Sequence, residues 1–465
     1  MTIKKFLVLA LGPIGAAFFS LITLPFIAWF FNAEDVGRFN MLQVFLGLTV
    51  TIFSLQMHQS YVREYYEEED KEMLLKMTIL PGFFLLIIAI ILLFIFSFSI
   101  SKILFDVESF EIDILVLLTV ISSFFINSFS HVIRMMGKEW FFAISQIFPK
   151  IILFILLGVI LLFNFEYSFL ILMNINTITL VLSTILFIYL SNTSWKIFKL
   201  NKINLLLLNK IVKFSLPLVL GGLAYWGLSY IDRFFLKNYS GLEEVGIYSI
   251  ASTLAGVISI FTTVFATIWH PLIFKWIKEG IDPKRVQNVI NILFVFITFI
   301  WSIFGLFSWI IPIFLPENYE LVQYIIVGCT AGSLLYLLSE ATTVGIGISR
   351  RSIFSLLSSF LAFVVSVILN YLLVPCFGGI GASISIMISF YIFFIIRTEA
   401  TIYLWHFLDR KLIYAMLFLY ILNTIFMLII KPNSMMYSIT WIFLFIFSLI
   451  PFYKTIYKII KNRGV

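Results

Sequence analysis

Apolar runs of about 20 residues or more recur along nearly the whole chain, and short polar segments separate them. One such run is long enough for an α-helix to cross the hydrocarbon core of a bilayer. The pattern predicts fourteen membrane-spanning helices, near residues 6–31, 39–62, 79–104, 112–134, 140–163, 167–191, 213–236, 245–270, 287–314, 320–347, 352–374, 380–404, 412–430 and 436–453.

The composition agrees with this prediction. Apolar residues make up 62% of the chain and charged residues 12%, against about 45–50% and about 25% in soluble domains. A soluble fold of this length could not cover its surface with so few charges. The connections are also too short to hold a tethered catalytic module. The predicted fold class is therefore an all-α polytopic membrane protein.

The 31 basic residues are dispersed in small groups between the apolar runs, a pattern that sets orientation in a membrane and does not indicate nucleic-acid binding. If both termini are cytoplasmic, 25 of them fall in inner segments, among them Lys202, Arg351 and Arg397. Four fall in outer segments, namely Arg38, Lys102, Lys237 and Lys431. Because cytoplasmic loops carry the excess of Lys and Arg, the asymmetry predicts this orientation.

The two halves of the chain begin alike. A proline lies early in spans one and seven (Pro13 and Pro217), and an acidic-acidic-Val-Gly turn follows each span, at 34–37 and 243–246. The repeat predicts a six-helix lobe over 1–191, a basic linker over 192–212, a second six-helix lobe over 213–405, and two extra helices with a basic tail over 406–465. Because six is an even number, the two lobes are expected to form a parallel pseudo-repeat around a central cavity.

Polar residues at membrane depth normally face a cavity or a partner, because lipid does not solvate them. On span five, Lys150 shares a helical stripe with Gln146 and Glu139, and on span two Arg63 shares one with Gln59 and Gln56. These stripes predict a polar cavity for a hydrophilic cargo. The structural alternative is that the same side chains make helix contacts or extend to the lipid headgroups.

Two carboxylates are candidates for coupling an ion. Asp232 lies on one face of span seven with Tyr225 and Ser229, and Glu340 aligns with Ser333, Tyr336 and Thr343 on span ten. Arg233 is adjacent to Asp232, and since neighbouring residues point to different sides of a helix, we do not expect these two to pair.

No motif indicates catalysis or a cofactor. The sequence contains no G-x-x-x-x-G-K-[ST] nucleotide loop, no G-x-S-x-G elbow and no H-E-x-x-H. The histidines lack metal-ligand spacing and are interpreted as interfacial packing residues; they are His58, His131, His270 and His406. We therefore predict no catalytic residue, no metal site and no cofactor.

Four segments, in order, resemble the polysaccharide-exporter branch of the multidrug/oligosaccharidyl-lipid/polysaccharide flippase superfamily, and especially bacterial O-antigen flippases. They are Gly12-Pro13 with the 34–37 turn, the span-two exit from Gln59 to Tyr65, Asp232-Arg233-Phe234-Phe235-Leu236 with Val245 to Ser249, and Asn370-Tyr371-Leu372-Leu373-Val374-Pro375 followed by Gly378, Gly379, Gly381 and Ala382. Together they extend over about 380 residues of the chain. The first half lacks a copy of the Pro375 connection, and mid-membrane arginines are few.

This resemblance implies two six-helix bundles that alternate between inward-open and outward-open states in the bacterial inner membrane. It implies a cargo of undecaprenyl-diphosphate-linked oligosaccharide repeat units, such as O-antigen units, moved to the periplasmic leaflet, with membrane lipids, a polysaccharide polymerase and the chain-length machinery as partners. For such a cargo, Arg63, Lys150 and Arg233 would hold the diphosphate. Gln59, Gln146 and Tyr225 would bind substrate beside them.

Three other functions stay open at this stage. An ion-coupled antiporter for drugs or other amphiphiles shares the predicted architecture. An integral membrane glycan polymerase would be expected to carry a long polar outer loop, whereas the outer segments here are short. A scaffold for a glycan assembly complex would not depend on the polar residues of the cavity.

Overall fold

A computed structural model describes residues 3–163, 166–191, 203–280, 283–431 and 434–453. Every regular element in these ranges is helical. The α-helices are α1 Ile3–Phe30, α2 Ala33–Phe53, α3 Met57–Glu64, α4 Lys71–Ile95, α5 Ile100–Phe105, α6 Phe110–Met135, α7 Glu139–Leu162, α8 Phe169–Leu190, α9 Leu205–Ser240, α10 Leu242–Ala255, α11 Ile258–Lys278, α12 Lys284–Phe307, α13 Val322–Thr342, α14 Val344–Ser349, α15 Ile353–Leu404, α16 Lys411–Ile430 and α17 Ser434–Leu449.

The predicted spans correspond to these helices. Twelve helical segments of the described chain are long and apolar enough to cross a membrane, and a shorter apolar one covers Ser438–Phe452. The 52-residue α15 contains both span eleven and span twelve. The prediction of an all-α, multi-pass membrane protein with about fourteen spans is therefore confirmed.

Span three is displaced from its predicted position. The prediction placed it at 79–104, whereas α4 runs from Lys71 to Ile95 and the short α5 follows. The Asp70 carboxylate caps the start of α4 by accepting a hydrogen bond from the Met73 amide at 2.9 Å. Ser97 then adopts a left-handed φ of 49°, which ends the helical path although the apolar run continues. Capping and a backbone break, which hydropathy does not register, set these two ends.

The repeated acidic turns are the first turns of α2 and α10. Glu34 and Asp35 lie in the first turn of α2, and Glu243 and Glu244 lie in the first turn of α10. Asn32 caps α2, because its side-chain oxygen accepts a hydrogen bond from the Asp35 amide at 2.7 Å. Carboxylates are favourable there, since a helix N-terminus carries a partial positive charge.

The long helix α15 is broken at Gly378, the first glycine of the motif after Pro375. Gly378 has φ 51° and ψ −131°, outside the helical region. The Glu244 carboxylate accepts a hydrogen bond from the Gly379 amide at 2.8 Å, at the start of the second helical stretch. Glu244 therefore satisfies a backbone donor that the break leaves without a helical partner.

We expect Gly378→Ala to destabilise the protein by about 1–3 kcal/mol, the usual cost of a side chain held in such a backbone conformation. A Cβ atom at this position would also lie 2.9 Å from the Glu244 carboxylate. Thermal unfolding of the detergent-purified protein measures the effect. Gly158→Ala on α7 is the matched control, because a Cβ there meets nothing within 4 Å; equal stability of the two variants would contradict the prediction.

The chain forms two compact units, Met1–Trp226 and Gly227–Val465, and the division falls within α9. The lobe bounds given above stay predictions. Residues 192–202 of the predicted linker and residues 454–465 of the predicted basic tail lie outside the described residues.

In the second unit, α13 is the central helix. Of an apolar 18-residue stretch of this helix, 78% is buried, which is more than in any other candidate span of the described chain. The two C-terminal helices pack onto this unit: a Trp301–Tyr420 ring contact of 5.4 Å joins α12 to α16, and Trp441 of α17 lies against Gly305 of α12. At the turn before α16, Arg410 binds the Glu399 carboxylate at 2.6 and 3.0 Å, and this hydrogen bonding raises the pKa of Arg410.

Candidate functional site

The second span is not one continuous helix. Helix α2 ends at Phe53 and α3 begins at Met57, and between them Leu55 (φ 47°) and Gln56 (φ 54°) adopt left-handed conformations. The predicted stripe of Gln56, Gln59 and Arg63 is therefore wrong as a single helical face. The two glutamine side chains still meet, since the Gln59 amide lies 3.4 Å from the Gln56 side-chain oxygen.

Arg63 and Gln59 present an accessible polar surface on α3. Both side chains are exposed, that of Arg63 by 56%. The Arg63 guanidinium lies 4.4 Å from the centre of the Phe214 ring and 3.6 Å from the Glu64 carboxylate. An arginine in this setting keeps most of its donors available for a phosphate group.

Helix α3 is anchored to the first part of α9. The Ser60 hydroxyl lies 2.6 Å from the Ser215 hydroxyl and 3.2 Å from the Ile211 carbonyl oxygen. The buried Glu64 carboxylate accepts a hydrogen bond from Lys210. These contacts hold the segment that carries Gln59 and Arg63.

Lys150 lies midway along α7 and its side chain is exposed. Within the described chain it makes no ion pair or hydrogen bond. Gln146, one turn earlier, is half-buried and packs beside Gly12 of α1. A Cβ atom added at Gly12 would lie 3.3 Å from the Gln146 side chain. Tyr225 is half-buried on α9. In this unit the predicted side chains lie on three helices, α3, α7 and α9.

Asp232 and Arg233 form an ion pair, so the prediction that adjacent residues would not pair is wrong. Arg233 Nη1 lies 2.7 Å from Asp232 Oδ1, and both side chains are buried. The arginine is long enough to fold back along α9, where it also donates to the Ser229 carbonyl oxygen at 2.8 Å. It donates to the Ser252 hydroxyl of α10 at the same distance. Tyr248 donates a hydrogen bond to the second oxygen of Asp232.

Glu340 has two basic partners. Its Oε1 lies 2.8 Å from Arg397 Nη1, and its Oε2 lies 3.3 Å from His270 Nε2. Arg397 also donates to the Ser339 hydroxyl at 2.9 Å. The charge pattern places Arg397 in an inner segment, whereas the structure buries it within α15. Sequence reasoning missed this pair, and the one available signal was that Arg397 falls inside the predicted span 380–404.

These two clusters determine what the carboxylates can do. Each carboxylate is buried and already neutralised by an arginine, so binding a cation or proton there would have to compete with an internal ion pair. Such competition would change which helix contacts the arginine makes.

Comparison with known proteins agrees with this architecture. The family model described as polysaccharide biosynthesis protein matches residues 2–277. A lipid II flippase, MurJ, in an inward-closed conformation superposes with a TM-score of 0.67 over 99% of this chain and 100% of its own, at 15% identity. Among curated proteins, no sequence matches the chain.

Multidrug transporters share the fold as well. An inward-facing multidrug resistance transporter of the MATE family has a TM-score of 0.60 at 15% identity, over 83% of this chain and 95% of its own. A mutant of the Vibrio cholerae transporter VcmN has a TM-score of 0.57 at 14% identity, over 85% of this chain and 95% of its own. Identities this low establish the fold alone. The family match covers more than half of the sequence, and this membrane protein accordingly belongs to the polysaccharide biosynthesis protein family.

Proposed function

We propose that the protein is a flippase that moves undecaprenyl-diphosphate-linked oligosaccharide repeat units, such as O-antigen units, from the cytoplasmic to the periplasmic leaflet by alternating access. The observation that carries the proposal is Lys150, an exposed cation halfway along a membrane-spanning helix. A charge at that depth is costly unless it serves a polar cargo path or a partner. Family membership supplies the polysaccharide context.

The chemistry of this cargo requires no bond breaking. Its polyprenyl chain can remain in the bilayer while the sugars and diphosphate pass along polar side chains. Lys150 and Arg63 supply positive charge for the diphosphate, and Gln59, Gln146 and Tyr225 supply hydrogen-bonding groups for the substrate. Both cations are exposed in the first unit.

The second unit contributes the proposed coupling groups. Asp232 and Glu340 are the candidates, and each holds an arginine by an ion pair. Binding of an ion or proton to either carboxylate would free Arg233 or Arg397. Arg233 can bind a phosphate group only when its pair with Asp232 opens.

We expect Lys150→Ala and Arg63→Ala each to reduce transport by about tenfold, the effect of losing about 1.4 kcal/mol of cargo binding. Arg63→Lys should retain more activity than Arg63→Ala if charge matters more than bidentate geometry. Surface glycan measured at limiting, matched expression tests all three variants. Lys102→Ala is the control, because that lysine is an exposed cation paired with Glu108 at 2.8 Å.

Wild-type levels of surface glycan in the single variants and in the Arg63→Ala, Lys150→Ala double variant would contradict the cationic path. Accumulation of lipid-linked repeat units on the cytoplasmic leaflet after gene deletion would support the cargo assignment. Both measurements report on the transfer of repeat units across the membrane, because a blocked flippase leaves its substrate on the leaflet where it is made.

An ion-coupled antiporter for drugs or other amphiphiles is the second candidate, favoured by the superposition on multidrug transporters. Purified protein in liposomes distinguishes the two. Drug transport without transfer of a lipid-linked oligosaccharide would support the antiporter and overturn the proposed cargo. The flippase proposal further places the chain in the bacterial inner membrane with both termini cytoplasmic, next to a polysaccharide polymerase and the chain-length machinery.

A further inference from the structure

A small polar cavity lies in the first unit, beside the break between α2 and α3. Its polar lining comes from Ser54, His58, Thr78, Asn127, Ser128 and His131. About 10 Å³ of it is open to the centre of a water molecule, which is close to the minimum of about 10–15 Å³ that one buried water needs. The cavity is therefore of the size of a single water molecule.

Two buried atoms at this cavity have no hydrogen-bond partner among the described residues. They are Nδ1 of His58 on α3 and Nδ2 of Asn127 on α6. Leaving a buried polar atom unsatisfied costs about 1–3 kcal/mol. Folded proteins commonly satisfy such atoms with an ordered water.

The two atoms have complementary hydrogen-bonding roles. The Asn127 amide nitrogen is a donor, and Nδ1 of a neutral His58 that carries its proton on Nε2 is an acceptor. One water can accept from the first and donate to the second. The lining also offers hydroxyl oxygens as acceptors for its other hydrogen, since Thr78 and Ser128 donate their own hydrogens to the Leu75 and Phe124 carbonyl oxygens.

The orientation of the His58 ring is fixed by its neighbour. His58 and His131 stack with their ring centres 4.3 Å apart and their planes within 14°. This stack links α3 to α6 and holds the ring plane of His58, so His58 cannot swing freely toward another partner. Tyr61 of α3 also lines the cavity, and Arg134 of α6 is a charged group close to His131.

We propose that this cavity is a binding site for one water molecule, which bridges His58 Nδ1 and Asn127 Nδ2 and ties α3 to α6. Leu55 and Gln56 hold unfavourable left-handed conformations next to the site, each costing about 1–2 kcal/mol. The geometry of the break therefore depends on tertiary contacts that hold α3. In consequence, the water positions Gln59 and Arg63, a role that rests on the proposed function.

A structure of the full chain in nanodiscs, at a resolution that shows ordered water, tests the site directly. We expect a density peak within about 3.2 Å of both His58 Nδ1 and Asn127 Nδ2. A direct bond between these two atoms, or a side chain filling the cavity without such a peak, would overturn the proposal.

A double-mutant cycle tests the bridge by its energetics. Asn127→Leu and His58→Phe should each lower the midpoint of thermal unfolding, because each leaves a polar partner unsatisfied. The double variant should lose less than the sum, because it removes both groups that require the water. Additive losses would contradict a shared water. Thr51→Ala, whose hydroxyl bonds the Gly47 carbonyl oxygen outside the cavity, is the control and should be additive with both.

These measurements need no cargo, so their failure is separate from failure of the proposed function. Transport by Asn127→Leu tests the positioning role. A several-fold loss at matched expression would support that role. A density peak for the water together with wild-type transport by Asn127→Leu would overturn it while leaving the flippase proposal intact.

Discussion

Replacing Arg397 by leucine is expected to destabilise the protein by about 3–5 kcal/mol, the cost of removing one partner from a buried ion pair. The Glu340 carboxylate would lose its contact with Arg397 Nη1 at 2.8 Å and keep only His270 at 3.3 Å. Both side chains of the lost pair are buried, at 10% and 9% exposure, so solvent cannot replace the arginine.

Thermal unfolding in detergent measures this loss, and a second variant separates its causes. The Arg397→Leu, Glu340→Leu double variant should recover much of the stability, because no charge then remains buried without a partner. Arg410→Leu is the control, since Arg410 binds Glu399 near the end of α15 and is more exposed. A double variant less stable than Arg397→Leu alone would contradict the ion-pair explanation.

Asp232→Leu is expected to have a comparable effect, about 3–5 kcal/mol. Arg233 would then be buried with hydrogen bonds to Ser229 and Ser252, with no other carboxylate of the described residues in an ion pair with it, and Tyr248 would lose its acceptor. The expected result is a large drop in the amount of folded protein, measured by size-exclusion chromatography of membrane extracts.

Asp232→Asn is the matched variant for this second prediction. It preserves the shape and an acceptor oxygen for Tyr248 but removes the charge. We expect it to fold better than Asp232→Leu and still to lose coupled transport if the carboxylate binds the coupling ion. Normal ion-driven transport by Asp232→Asn would remove Asp232 from the coupling proposal and leave Glu340 as the remaining candidate.

These two clusters change how the polar residues of the spans are interpreted. From the sequence, Asp232, Arg233 and Glu340 were candidate groups of one polar cavity. In the structure each carboxylate is satisfied by an arginine of its own unit, while Arg63 and Lys150 are exposed. Stability is therefore the sensitive measurement for the buried pairs, and transport is the sensitive one for the exposed cations.

The fold class and most helix positions could be predicted from the sequence. Membrane insertion depends on the length and hydropathy of a local run, and both can be read from consecutive residues. Thus α6, α7, α8 and α16 begin and end within two residues of prediction. The acidic segments were predicted as turns between spans; the structure makes them the first turns of α2 and α10, where a helix N-terminus favours carboxylates.

The break in span two and the partners of the polar residues depend on contacts between distant parts of the chain. Leu55 and Gln56 carry no glycine or proline signal, so nothing local predicts their left-handed conformations; contacts of α3 with α9 and α6 hold them. Arg397 meets Glu340 across 57 residues, and His58 stacks on His131 across 73. Such pairs depend on how each helix is rotated against its neighbours, which hydropathy along one chain does not specify.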